Sequence, residues 1–281
     1  MTITDKLENL EAVDRISSPL HDLVSKAVPS GSRLKDALSG TWLQHPVHPP
    51  LTDVVIGSWL SGLALDVLGG RDGAAASRRL VGLGILAALP TAATGASDWS
   101  DLIGKDRRLG SIHAVANSTA LAAQSLSWLQ RRRGRRGSGI ALSVAAVGVS
   151  SAAAWIGGHL SYGRAVGVNH TAFEDGPQEW TRALDTAQLA DGELTGGLTG
   201  DGFPVLLLKR GPVVHAMADR CAHMGCALHE GELDGDIVRC GCHGSEFALD
   251  GSLVHGPATS GQPRFEARIA GDVVEIRKAR S

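Results

Sequence analysis

All four cysteines of this chain fall between Cys221 and Cys242, in the stretch CAHMGCALHEGELDGDIVRCGCH that ends at His243. No other feature of the 281 residues constrains the fold as tightly. Two short units, Cys221-Ala222-His223 and Cys240-Gly241-Cys242-His243, each put a thiol and an imidazole into one tight loop, and 16 residues separate His223 from Cys240. Two thiols and two imidazoles suit either a tetrahedral zinc ion or an iron–sulfur centre. Zinc fingers place both cysteines in one unit and both histidines in the other. Here each unit is mixed, which argues against the zinc-finger arrangement.

This Cys-x-His…Cys-x-x-His pattern and its flanks, over about 180–277, resemble the Rieske 2Fe-2S family. The resemblance implies a small antiparallel β-domain in which Cys221 and Cys240 hold one iron and His223 and His243 the other. Neutral imidazoles in place of two anionic ligands put the potential in the range of roughly −150 to +300 mV. The resemblance further implies a Cys226–Cys242 disulfide, as in the Rieske proteins of cytochrome bc complexes. Such a bond is at home in an oxidising compartment. Ser245 occupies the place of a serine that hydrogen-bonds a cluster sulfide, Met224 that of an apolar shield, and Gly256-Pro257 that of a covering proline loop. Phe247 stands where high-potential members carry tyrosine, so one hydroxyl donor is missing and an intermediate potential follows. His223 and His243 are expected at an exposed edge, where a partner would touch them. His215, His229 and His255 are expected outside the ligand set, and His170 as an exposed loop residue.

The length suggests two domains, and a net charge of −2 speaks against nucleic acid as a partner. Before residue 164 the composition turns apolar and rich in Gly and Ala. Four segments stand out: about 51–68, 80–97, 109–130 and 137–163. The first contains Asp53 at its start and Asp66 near its end, and the third carries Asn117, Thr119 and Gln124. The fourth is 27 uncharged residues. Runs of about 18 or more apolar residues meet the length needed to cross a bilayer. A soluble bundle would show a polar stripe on each helix; the second and fourth segments show none. Trp99, Trp128, Trp155 and Tyr162 lie toward segment ends, as interfacial aromatics do.

The expected fold class is therefore α + β: a four-helix transmembrane bundle followed by a small antiparallel all-β domain. The expected division is residues 1–48 as amphipathic helices without a secretory signal, 49–163 as the spans, 164–179 as a polar linker, and 180–281 as the metal domain. Leu7, Leu10, Val13 and Ile16 recur at helical spacing in the first part, which is expected to pack on the domain that follows. Arg71, Arg78 and Arg79 in one loop and Arg131, Arg132, Arg133, Arg135 and Arg136 in another face the cytoplasm by the positive-inside rule. The metal domain is then extracytoplasmic, on a bacterial plasma membrane. A folded cluster domain would need a twin-arginine route, for which Arg135-Arg136 is a candidate signal.

The helical part resembles an uncharacterised bacterial four-helix membrane family, on His45 to Pro50, Gly95 to Trp99, His113 and Gly157 to Tyr162. The alternation of spans gathers His48, Asp98, His113 and His159 at one membrane face. Ionisable residues inside spans are functional candidates. Haem b ligation by His113 and His159, a quinone contact, and hydrogen bonding between helices all remain open. The leading functional reading is a membrane-anchored carrier of single electrons between a membrane donor, quinol or haem, and a redox partner protein. It is a component of an oxidoreductase system, not a stand-alone catalyst. Rivals are a redox-sensing regulator and a quinol-oxidising enzyme with its site in the bundle. Only 38 residues follow His243, so no mononuclear iron domain of an oxygenase follows in this sequence.

Overall fold

The computed structural model describes residues 3–279 and divides into two compact units. One contains the residues up to Ala27 together with Val47–Val166; the other contains Val28–Pro46 and the chain from Gly167 onward. Residues 28–46, expected to belong with the N-terminal helices, thus belong to the metal-binding unit.

The first unit is helical. Two short helices, α1 (Ile3–Glu8) and α2 (Asp14–Ala27), precede four long ones: α4 (His48–Leu68), α5 (Ala74–Trp99), α6 (Gly104–Arg132) and α7 (Arg136–Gly158). A π-helical turn, His159–Gly163, continues α7. Arg108 of α6 grips the carboxylate of Asp14 through Nε at 3.0 Å and Nη2 at 2.6 Å, so the N-terminal helices do pack on the bundle. Among the described residues three helices, not four, are long and apolar enough to cross a membrane: 48–68, 74–99 and 136–163. Helix α6 falls short because His113, Asn117, Gln124 and four scattered serines dilute its apolar residues.

The bundle buries a polar cluster beside its apolar contacts and carries large apolar side chains on its outside. Asp66, Ser77, Gln124, Ser127, Arg131 and Ser143 are buried, whereas Val54, Leu60, Val67, Leu83, Leu86, Leu89, Leu126 and Val144 are exposed. Water would not tolerate that inversion; lipid would, because hydrocarbon surrounds apolar side chains and polar groups then satisfy one another inside. Arg131, read from sequence as a loop cation, ends α6 and donates to Asp66 Oδ1 at 2.9 Å and Oδ2 at 2.6 Å.

The hairpins α4–α5 and α6–α7 repeat one set of contacts. His48 Nδ1 donates to the Thr91 carbonyl at 3.0 Å, and His113 Nδ1 to the Ala153 carbonyl at 2.8 Å. Each ring lies against a glycine one turn further on, Gly95 or Gly157, where a Cβ would stand 2.7 or 3.0 Å from Cε1. One turn beyond each histidine, Thr52 and Asn117 donate back to its carbonyl. A shift of 65 residues carries His48, Thr52 and Asp66 onto His113, Asn117 and Arg131.

The second unit is antiparallel β with one short helix, α3 (Arg33–Ser39). Six strands form one sheet in the order β1-β10-β9-β4-β3-β2: β1 (Thr181–Asp185), β2 (Leu194–Leu198), β3 (Pro204–Arg210), β4 (Val213–Ala218), β9 (Arg264–Ala270) and β10 (Val273–Lys278). Four short ones form a second: β5 (Glu232–Asp234), β6 (Ile237–Arg239), β7 (Glu246–Ala248) and β8 (Leu253–His255). The run Val205-Leu206-Leu207-Leu208 in β3 is fully buried on both faces. Val205 and Leu207 join Ala216, Ala218, Val274 and Ile276 in one core. Leu206, on the opposite face by strand alternation, joins Met217, Leu228, Val238 and Phe247 in another. Cys221 and Cys240 are part of that second core.

Candidate metal centre

Two loops carry the predicted donors. The first follows β4, the second connects β6 to β7, and they are built alike. In the first, the amide of Cys221 donates to the Cys226 carbonyl at 2.8 Å and that of Gly225 to the Cys221 carbonyl at 2.9 Å. In the second, Cys240 N donates to Ser245 O at 2.8 Å and Gly244 N to Cys240 O at 3.0 Å. Gly225 and Gly244 both sit at φ 75°, the left-handed region that a side chain resists, so each loop can close this tightly. A disulfide between Cys226 and Cys242 joins the loops.

That bond sorts the cysteines. The sulfurs of Cys226, Cys240 and Cys242 lie within 4.8 Å of one another, but two of them belong to the disulfide. The free thiols are Cys221 and Cys240, buried on the apolar side. They hydrogen-bond each other, and backbone amides point at both sulfurs: those of His223 and Met224 at Cys221, those of Cys242 and His243 at Cys240. Amide donors favour thiolate. The hydrogen bond from its partner and these amides hold Cys240 down at about 6, while the thiol it faces, Cys221, is pushed up. The rings of His223 and His243 stand edge to face, 5.0 Å between centroids. Burial drives the His223 imidazole well below its usual range, which keeps it neutral as a metal-binding imidazole must be. Donor types and loop convergence fit a 2Fe-2S centre of mixed ligation, as do the lowered Cys240 thiol and the neutral His223 imidazole.

The surroundings complete the picture. Ser245 is fully buried, and its hydroxyl oxygen accepts from the Ala258 amide at 3.0 Å, leaving its hydrogen free to donate. Phe247 is fully buried in the core that contains both free thiols. Gly256 and Pro257 are buried, joined by a cis peptide, and Met224 is half-buried beside His223.

Three features escaped sequence reading. His223 and His243 are half-buried, not exposed, because residues of α3 and the turn before it lie over the loops. Asp36 accepts from His255 Nδ1 at 2.6 Å and from the Gly256 amide at 2.7 Å. His170 is half-buried against the first loop, its amide donating to the Ala222 carbonyl at 3.0 Å. Nearby, Glu174 pairs with Arg220 at 2.7 Å. The linker is therefore not free along its length. His229 is held by Asp219 at 2.6 Å, apart from the ligand set.

The histidines of the helical unit have other employment. His113 donates from Nδ1 to Ala153, and Nε2 accepts from Asn117 Nδ2 at 3.0 Å. Haem ligation requires a ring nitrogen lone pair, and both nitrogens of His113 are engaged. His159 Nε2 lies 3.5 Å from Glu8 Oε1 with its ring stacked on Trp155. His48 bonds Thr91, and Asp98 ends α5 half-buried. Of the readings left open by sequence, these contacts favour hydrogen bonding between helices over haem.

Residues 179–266 match the Rieske 2Fe-2S domain family, and residues 44–170 match a family described as "Predicted membrane protein (DUF2231)". The chain is 35% identical over 111 residues to a carotenoid phi-ring synthase of Chlorobaculum tepidum, covering 35% of this chain and 17% of the relative. It is 32% identical over 75 residues to the cytochrome b6-f complex iron-sulfur subunit of Chlorobaculum thiosulfatiphilum, covering 27% of this chain and 41% of that one. Among solved structures it is similar to the ferredoxin of carbazole 1,9a-dioxygenase from Nocardioides aromaticivorans, 20% identical with a TM-score of 0.33, covering 36% of this chain and all of the ferredoxin. The chain thus spans less than half the length of these two curated relatives.

Proposed function

We propose that this chain, whose residues 179–266 belong to the Rieske 2Fe-2S family and whose residues 44–170 belong to a family of predicted membrane proteins, is a membrane-anchored carrier of single electrons. The observation that carries the reading is the convergence of two free buried thiols and two facing imidazoles on a pair of loops locked by a disulfide. Cys221 and Cys240 would hold one iron, and His223 and His243 the other. When bound, the cluster supplies a one-electron couple. The chain supplies everything else: amide donors aimed at both sulfurs, a His223 imidazole kept neutral by burial, and an apolar floor of Leu206, Met217, Val238 and Phe247 that excludes water. A ring nitrogen of His223 or His243 not bonded to iron can carry a proton, which would link electron and proton movement.

The inverted polarity of the bundle supports a lipid partner. Helix α6 crosses with the other three, since it packs along α7 and turns Gln124, Ser127 and Arg131 inward. The basic residues that precede α5 and α7 support an orientation with the metal-binding unit outside the cytoplasm. A quinone or a redox protein is the exchange partner.

Purified anaerobically, the full chain should contain two irons and two acid-labile sulfides. Reduction with dithionite should give the EPR spectrum of a mixed-ligand cluster, and a redox titration should fall between roughly −150 and +300 mV. Zinc in the site, or a potential near the all-cysteine ferredoxins, would overturn the assignment.

A further inference from the structure

The histidine side of the loop pair is covered by residues 30–41, nearly two hundred positions away in sequence. Ser32 caps α3 by accepting from the Lys35 amide at 3.1 Å, and Gly40 ends it in the left-handed region at φ 91°. The segment is fixed at two points. On the Gly256-Pro257 loop, the Asp36 carboxylate takes His255 Nδ1 and the Gly256 amide, and Thr41 Oγ1 donates to the Ala258 carbonyl at 3.2 Å. On the second loop, Ser30 and Gly31 close on Gly244, where a Cβ would stand 3.1 Å from that of Ser30. On the same short helix is Lys35, only 1% exposed. Lysine is almost never buried to this degree without an electrostatic reason. After burial and the charge of His243, the charge of Lys35 also lowers the His223 imidazole.

We propose that Lys35 is the potential-setting residue of this cap, a fixed buried cation that favours the reduced site, and that Asp36 is the latch that keeps it there. The proposal rests on the four-ligand assignment above. With two thiolates and two neutral imidazoles, a 2Fe-2S centre is uncharged when oxidised and carries one negative charge when reduced. A cation held beside it, away from water, therefore stabilises reduction far more than an exposed lysine would. The Asp36 carboxylate faces His255 and the Gly256 amide.

The test uses the full chain. Lys35→Met with complete iron and sulfide should lower the midpoint potential by about 59 mV, a tenfold change in a one-electron equilibrium. Lys35→Arg, which keeps the charge, should stay near the wild type. Should Lys35→Met fail to load, Lys35→Gln makes the same comparison. A merely structural lysine would leave the potential unmoved in every loaded variant, and that result overturns the proposal. Amine acylation read by mass spectrometry tests the latch without a cluster. Lys35 should label roughly tenfold more slowly than exposed Lys26, and Asp36→Asn should remove most of that protection. Equal labelling in the wild type would also overturn it. A wild type that holds no 2Fe-2S centre would instead refute the ligand assignment, with the acylation result still deciding whether Asp36 buries Lys35.

Discussion

Cys226 in the first loop is bonded to Cys242 in the second, with a sequence separation of 16 and Cα atoms 6.5 Å apart. Each half-cystine neighbours a donor: Cys242 precedes His243, and Cys226 closes the loop begun by Cys221. The bond removes freedom from the unfolded chain, and a loop of this length corresponds to about 3 kcal/mol. Replacing both cysteines by alanine should cost about that much in chemical denaturation. The double variant should also lose visible absorbance faster at a fixed urea concentration. Unchanged stability and unchanged cluster lifetime would mean that the protein core alone holds the loops.

The free and bonded cysteines should separate cleanly by metal content. Cys240→Ser removes a thiolate and should cut iron and labile sulfide about tenfold or more; Cys226→Ala with Cys242→Ala should load in fresh preparations. His243→Ala should behave like Cys240→Ser. A Cys240→Ser protein with full iron content would reassign the ligand set.

Local pattern and distant pairing divide what sequence could foresee. The mixed Cys/His units and the four long helices need only spacing and periodicity, and the structure has them in place. Strand β2 escaped because Leu194-Thr195-Gly196-Gly197-Leu198 carries no alternation; its glycines are there because His229 and the Ala183 carbonyl press against them. Arg131 stood in a basic run and read as a loop, since its partner Asp66 lies on another helix. Residues 28–46 were grouped with the N-terminal helices by continuity, but position along the chain does not say which unit a short helix will face. The repeated hairpin was hidden for a related reason. Along helices α4 and α6 the equivalent positions share the histidine and little else, so the contacts repeat while the letters do not.

The Asp66–Arg131 pair is bidentate, with side chains 0% and 3% exposed. Ser77, Ser143 and Ser127 also bond the guanidinium. Asp66→Ala would strand that cation among apolar helices at a cost of about 3–5 kcal/mol. Replacing both residues by leucine removes the stranded charge as well as the pair. Thermal scans in detergent should therefore rank the wild type and the double variant above either single variant. A single variant as stable as the double would show that water reaches the pair.

Glu174 gives a pH dependence with a defined sign. Burial raises its carboxyl above the ordinary 4.5, against the opposing pull of Arg220. The folded chain therefore binds this proton more tightly than the unfolded chain does. Stability from this group is present below 4.5 and is lost as pH rises through the higher folded value. Relative to Glu174→Gln, the wild type should lose ground between about pH 4 and neutrality and then level off. A difference that runs the other way would mean that Arg220 outweighs burial.

Phe247 offers a direct handle on potential. It is fully buried in the core containing Cys221 and Cys240, at the place where the family resemblance puts a tyrosine in high-potential members. A hydroxyl added there would join the donors aimed at the sulfur end of the site, and donors to sulfur stabilise the more negative, reduced state. A hydrogen bond to a charged group is worth about 1.5 kcal/mol or more, which for one electron corresponds to a rise of about 60 mV. Redox titration of Phe247→Tyr should show an increase of that order with the EPR line shape preserved. Because Phe247 and Lys35 approach the site through different elements, Phe247→Tyr combined with Lys35→Met should return the potential close to its starting value. A double variant far from that sum would mean that the two residues act through one shared contact.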